Sequence, residues 1–168
     1  EVPYVSCDRD TSSAEWAKAR DVRLALNMVI DRDALVNNIF QGNADPVYIG
    51  WWMGHDARRA QLGLDELVYE YDPVAARKLL TGAGYATGPD VDMVIHPGFV
   101  PGDSESAEAV ANMMEKAGIN VNISRLAFAA FRPTLVRRTA HEIYNNADSP
   151  NSDPTRTYAG GLAPTGGY

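Results

Sequence analysis

Residues Asp21 to Gly42, DVRLALNMVIDRDALVNNIFQG, set the terms for the rest of the chain. At helical spacing Val22, Ala25, Leu26, Val29 and Ile30 share one face, at i, i+3, i+4, i+7 and i+8. Arg20, Arg23 and Asn27 point elsewhere, so this helix buries a stripe and leaves the remainder to solvent. Asp31 is placed to end it and to cap the next helix, its carboxylate accepting the backbone N–H of Asp33 or Ala34. The second helix carries Leu35, Ile39 and Phe40, and Gly42 stops it where a left-handed residue is easily accommodated. Two short helices broken at Ile30-Asp31-Arg32 therefore predict a hub onto which later segments pack.

The next strong signal is Tyr71-Asp72-Pro73-Val74-Ala75-Ala76-Arg77-Lys78-Leu79-Leu80. Asp72 reads as a cap, and Pro73 stands at the first helical position, where a missing N–H costs nothing. Ala76, Leu79, Leu80 and Ala83 form the stripe, and Gly84 closes the helix. Val91 to Ile95 alternates as a short strand. Asp103 or Ser104 is expected to cap a helix whose face is Ala107, Val110, Ala111, Met114 and Ala117, ending at Gly118. Ile119 to Leu126 sets Ile119, Val121 and Ile123 against Asn120, Asn122 and Ser124, the pattern of a half-buried strand. A helix follows over Phe128 to Arg138, starting near Pro133 or slightly earlier. Glu142 to Asn146 reads as a further strand, Ala147 to Pro154 as turns, and Thr155 to Tyr158 as a short helix. Glu1 to Ala19 is expected to be an irregular lead-in anchored by Trp16, Asn43 to Leu67 a long loop, and Gly160 to Tyr168 a glycine-rich tail. This order of elements predicts an α/β lobe with a small mixed sheet flanked by helices.

Bulk properties exclude several classes of function. One hundred and sixty-eight residues suffice for one domain with a core. A formal charge of −7 argues against a general nucleic-acid or anionic-membrane surface. No run of about 18 apolar residues is present to span a bilayer. The chain opens at Glu1 without a signal peptide, as expected of a mature or excised segment. Cys7 is the single cysteine, so no internal disulfide forms.

Catalytic and metal chemistry find little support. Cys7 lacks a basic neighbour, and with His55, His96 or His141 it reads as a small buried thiol before a thiolate pair. The three histidines have no ligand spacing, so neither a metal nor another cofactor is expected. The Asp8/Asp10, Asp31/Asp33 and Asp90/Asp92 pairs are expected at turns or helix starts, where capping explains them. No glycine-rich nucleotide fingerprint is present. Asn122-Ile123-Ser124 has the form of a glycosylation sequon with no implied role.

Binding is better supported. Gly50-Trp51-Trp52-Met53-Gly54 sets two indoles in a polar loop. In extended backbone they face opposite ways, so one is left for a ligand or partner; packing of both beneath the loop is the competing reading. Tyr144, Asn145, Asn146, Asp148 and Asn151 cluster at and beyond a strand's carboxyl end, where α/β lobes hold ligands, although Asp148 and Asn151 also serve as turn formers. Arg137 and Arg138 lie at a helix end, where cations complement the dipole.

Three of these stretches resemble one family. VR-x-ALN-x-x-IDRDALV, YDP-x-x-A-x-x-LL-x-x-AGY and KAGINVNISRLAFAAF followed by HEIYNNADSPNSDP are similar, in order, to the solute-binding proteins of family 5, the receptors of dipeptide, oligopeptide and nickel ABC importers. The resemblance covers Ala19 to Tyr158. It implies one lobe of a two-lobe type II periplasmic binding protein: residues 1–168 as a partial C-terminal lobe, with lead-in 1–19, body 20–158 and incomplete tail 159–168. It implies no enzyme and no cofactor. It also implies a small peptide-like or other polar solute, a membrane permease, the missing first lobe as partners, no nucleic acid, and a periplasmic or membrane-anchored extracellular location. An interaction or regulatory module that keeps the fold without transport is the alternative. By resemblance, Trp51 or Trp52 walls the cleft, Arg138 lies near where relatives hold a ligand carboxylate, and Asp148 stands for the residue that pairs with a peptide amino terminus. Asp148 matches that position only with a gap, the preceding Trp is absent, and Asn151 is its neutral rival, so the pattern departs from that of free-amine peptide receptors.

Overall fold

A computed structural model of the chain describes residues 10–46, 68–98, 100–137 and 142–146. In chain order the elements are α1 (Ala14–Met28), α2 (Arg32–Asn38), α3 (Pro73–Gly82), β1 (Asp90–Ile95), α4 (Asp103–Lys116), β2 (Asn120–Arg125), α5 (Phe128–Val136) and β3 (Ile143–Tyr144). Cys7, most of the expected loop up to Leu67, the turns before Pro154, the helix near Thr155 and the tail lie outside the described residues.

Helix α1 begins earlier than the sequence suggests. Ser13 caps it by accepting the Trp16 N–H at 3.0 Å, so Ala14 to Ala19, expected to be irregular, are helical. The stretch is rich in alanine, the strongest helix former, and needs only that cap to start. Of its predicted stripe Val22, Ala25, Leu26 and Val29 are buried with Ile30 packed beside them, and Ala19, not expected in the stripe, extends it. Asp31 accepts the Ala34 N–H at 2.9 Å and opens α2 as expected. Arg32 donates to the Asn27 carbonyl at 3.1 Å and to Asn27 Oδ1 at 2.9 Å, closing the end of α1. Helix α2 has no fully buried residue, so α1 alone is the hub and α2 a brace.

The carboxylate of Asp72 accepts N–H groups from Val74 at 3.0 Å and Ala75 at 2.8 Å, a cap worth about 1 kcal/mol. Its own N–H donates to the Met28 carbonyl at 3.0 Å, tying the start of α3 to the end of α1. Ala76, Leu80 and Ala83 then lie against the α1 stripe.

The sheet runs β2-β1-β3, and both described ladders are parallel where a mixed sheet is expected. Along β1 the side chains alternate as pleating requires. Val91 joins the α1–α3 core, Met93 and Ile95 meet Ala107 and Ala111 of α4, and Val94 meets Phe131 and Leu135 of α5. The strand expected over Val91 to Ile95 begins one residue earlier, so Asp90 and Asp92 both lie in it and the turn or helix-start role expected for the pair is not found. Their exposed carboxylates accept amide N–H groups from Asn120 at 2.8 Å and Asn122 at 3.3 Å, each directly opposite in register. Along the expected second strand Ile119 is buried and Val121 and Leu126 are half-buried, while Ile123 is 37% exposed, so the expected alternation is only partly met. The start of α4 also differs. Gly102 occupies the cap position, and the Asp103 carboxylate accepts from Gly98 N at 3.0 Å and Val100 N at 3.4 Å, ordering the preceding loop.

One close approach locks α3, α4 and β1 together. Arg77 donates to the Ala117 carbonyl at 3.5 Å and the Gly118 carbonyl at 3.4 Å, satisfying acceptors left over at the end of α4, and to the Ala86 carbonyl at 2.6 Å in the turn after α3. Beneath it Gly88, at φ +88°, lies so near Gly118 that a Cβ there would overlap the Gly118 carbonyl oxygen. Gly42, at φ +78°, has open space around the same position. Gly88→Ala is therefore expected to cost about 3 kcal/mol or more in urea denaturation, and Gly42→Ala only about 1 kcal/mol, the left-handed backbone penalty alone.

Tyr85 follows α3 half-buried, with Lys18 Nζ 4.9 Å from its ring centroid. Burial raises its phenol above the ordinary tyrosine range. The folded state thus holds that proton more tightly than the unfolded chain. The associated stability is complete below about pH 10 and is lost as pH rises through the folded value. Wild type should lose stability relative to Tyr85→Phe as urea titrations move to higher alkaline pH, and parallel profiles for the two would contradict this.

Candidate functional site

At the carboxyl edge of the sheet, β1 ends in Ile95-His96-Pro97-Gly98, β2 in Arg125-Leu126 and β3 in Tyr144-Asn145-Asn146. The ladders run to this edge, with Leu126 N donating to Ile95 O at 3.1 Å and Asn145 N to Val94 O at 3.3 Å. Far from this edge in the chain, hydrogen bonds from the Ser12 hydroxyl and backbone N–H hold the Asp10 carboxyl below its usual range.

His96 is completely buried. Its ring stacks on Phe131 at 5.3 Å between centroids and meets Phe128 at 5.5 Å, while Phe131 meets Tyr144 at 5.1 Å. These tilted and offset contacts are the preferred aromatic geometries, each worth about 1 kcal/mol beyond the area buried. Helix α5 presents both phenylalanines because positions i and i+3 share a face. Ala127 holds the cap position in extended backbone, so the helix starts at Phe128, the first residue of its expected span, and carries Pro133 within it.

Asn145 closes the edge. Its Oδ1 accepts the His96 N–H at 2.8 Å, and its Nδ2 donates to the His96 carbonyl at 3.2 Å. The amide thus takes the place of a strand residue opposite His96. At the other end of β3 the Glu142 carboxylate does similar work, accepting the Asp92 N–H at 2.6 Å. On the other flank, Phe40 and Ile39 press on Gly102, where a Cβ would lie 2.9 Å from the Phe40 ring, bracing the loop that follows β1.

Of the residues singled out in the sequence, the structure brings Tyr144, Asn145 and Asn146 together here. Tyr144 is half-buried on the aromatic stack, Asn145 is half-buried on His96, and Asn146 is exposed. Trp51, Trp52, Arg138, Asp148 and Asn151 lie outside the described residues. Sequence reasoning did not anticipate His96, Phe128, Phe131 or Glu142. The signals were an apolar run ending in His-Pro-Gly and a Phe-x-x-Phe spacing, both of which gain meaning only once β3 is laid beside β1.

The model for bacterial extracellular solute-binding proteins, family 5 middle region, matches residues 4–168. Heme-binding protein A of Haemophilus influenzae is 29% identical over 138 residues, covering 78% of this chain and 23% of that protein. Di/tripeptide-binding protein 1 of Pseudomonas aeruginosa is 30% identical over 108 residues, covering 61% of this chain and 19% of that protein. The chain therefore spans between 19% and 23% of the length of these relatives. Among solved structures, NikA from Brucella suis in complex with Fe(III)-EDTA shares the fold, with a TM-score of 0.70 at 22% identity over 94% of this chain and 33% of that one. Among the described residues no helix is long and apolar enough to cross a membrane.

The aromatic stack makes a direct prediction. Phe131 is fully buried between His96 and Tyr144. Phe131→Ala should destabilise the fold by about 3–5 kcal/mol in chemical denaturation. A loss below about 1 kcal/mol, the scale of a tolerated surface change, would contradict its place in the core.

Proposed function

Because this chain belongs to the bacterial extracellular solute-binding proteins of family 5, we propose that it forms part of the C-terminal lobe of a two-lobe receptor that delivers a small solute to an ABC importer. The observation that carries this reading is the carboxyl edge of the parallel sheet. Exposed Asn146 and half-buried Tyr144 stand there on a packed aromatic base, the position where α/β lobes meet ligands. An amide can donate to and accept from a polar solute, and a tyrosine offers both an apolar face and a hydroxyl.

In this reading Trp51 or Trp52 walls the cleft, Asp148 or Asn151 meets a polar end of the solute, and Arg138 lies near a carboxylate. A short peptide is the favoured solute class, supported by the likeness to a di/tripeptide-binding protein. The departure around Asp148 favours a solute whose amino end is recognised by neutral hydrogen bonding, or one that has no free amine. The first lobe closes over the second when solute is bound, and solute shifts the open–closed balance only by the extra contacts it makes in the closed form. The role is capture without bond-breaking, outside the cytoplasmic membrane, with the permease as the membrane partner.

The test is a tryptophan fluorescence titration of the complete receptor with a defined mixture of Ala-Ala, Ala-Leu and Ala-Ala-Ala. A saturable shift is expected, weakened about fivefold or more by Asn146→Ala, the loss of one hydrogen bond. A wild-type receptor that shows no saturable shift with any component would contradict the peptide reading. An Asn146→Ala receptor that binds as well as wild type would remove Asn146 from the site.

A further inference from the structure

We infer that Asn145 is a positioning residue: its amide clamps the main chain of His96 and so sets the direction in which Asn146 leaves the sheet toward the solute. The inference rests on the receptor reading above and assigns a role within that same site. A side chain reaching out to solute would leave its hydrogen-bonding ends directed away from the protein. Here Oδ1 accepts the His96 N–H at 2.8 Å and Nδ2 donates to the His96 carbonyl at 3.2 Å. Both ends of the amide thus meet one residue of the central strand, 49 positions away in sequence.

The surroundings make this clamp consequential. Strand β3 is only two residues long, Ile143 and Tyr144, paired with Met93 and Val94. A strand so short has few ladder bonds to fix its direction, and Asn145 adds its own N–H to the Val94 carbonyl at 3.3 Å as well as the two amide bonds. His96, the residue held, cannot drift, because it is fully buried and its ring lies against Phe128 and Phe131. Phe131 in turn supports the Tyr144 ring. The two residues proposed to face solute, Tyr144 and Asn146, flank the clamp in sequence. Their relative placement is set by Asn145 pulling toward β1 between them.

Of the natural side chains, asparagine alone fits this task at this length. It needs one acceptor and one donor on a single short planar group. Ionised aspartate has the acceptor but turns a second oxygen, and its charge, on the His96 carbonyl. Protonated, it regains a donor and copies the amide. That difference provides a test by pH profile.

In the complete receptor, wild type, Asn145→Ala and Asn145→Asp are compared at about pH 4 and about pH 7, either side of the range in which a carboxyl facing a carbonyl titrates. Protection from hydrogen–deuterium exchange of the segment containing His96 is measured by mass spectrometry without ligand, and affinity for Ala-Ala, Ala-Leu and Ala-Ala-Ala by fluorescence. Protection is expected to fall about fivefold or more in both variants near pH 7, and to recover near pH 4 in Asn145→Asp alone. Affinity relative to wild type should follow the same pattern. Lost affinity with unchanged protection at His96 would overturn the inference and make Asn145 a direct solute contact. Lost protection with unchanged affinity would overturn it too, leaving the clamp a purely structural bond. If wild type binds none of the probes, the peptide reading fails, while the exchange measurement still decides whether the clamp exists.

Discussion

The carboxyl half of β1 is buried from both sides, and the layers of the lobe follow from that. Val94 and Ile95 are fully excluded from solvent and Met93 nearly so, and burying each such side chain is worth about 1.5–3 kcal/mol. A parallel strand cannot reach its neighbour by a tight turn, so the chain must cross over through a helix. That requirement puts α4 against Met93 and Ile95, and α5, following β2, against Val94. Toward its amino end the α5 face of β1 is open, and there the strand carries Asp90 and Asp92 instead of apolar residues. Helices α1 and α3 cover the remaining apolar surface through Val91, Met114 and Ile119.

Packing alone does not settle the edges of so small a sheet. Its ends are finished by side chains that stand in for backbone: Glu142 for an acceptor opposite Asp92, Asp103 for the loop after β1, Arg77 for the last carbonyls of α4, and Asn145 for a strand residue opposite His96. Buried backbone groups left without such partners would each cost on the order of 1–3 kcal/mol, so these substitutions decide which local geometries are permitted. Two of them, Asp103 and Asn145, stand at the carboxyl edge. The part of the lobe proposed to meet solute is also held by the long-range Asn145–His96 hydrogen bonds and by four packed rings.

Local chemistry was readable in the sequence, and long-range chemistry was not. Asp31 and Asp72 cap the helices predicted for them because a cap and its N–H donors lie within three residues. The α1 stripe was plain for the same reason, although its start at Ser13 was hidden behind a run of turn formers. The strand expected over Val91 to Ile95 takes in Asp92, but its start at Asp90 is defined by Asn120, thirty positions on. Asp103 looked like a cap until Gly102 took that position and freed its carboxylate for the loop. At the site, the strand ending at Tyr144-Asn145-Asn146 was legible as polar residues in the right place. Asn145 turning inward to His96 was not, since nothing local distinguishes an inward amide from an outward one.

A crystal structure of the complete receptor with the solute that copurifies is the most direct measurement of the central claim. The account predicts the solute at the carboxyl edge of β1 and β3, with the Asn146 amide within about 3 Å of a polar solute atom and the Asn145 amide still on His96. A solute bound elsewhere, with this edge covered by protein and Asn146 turned away from the cleft, would contradict it.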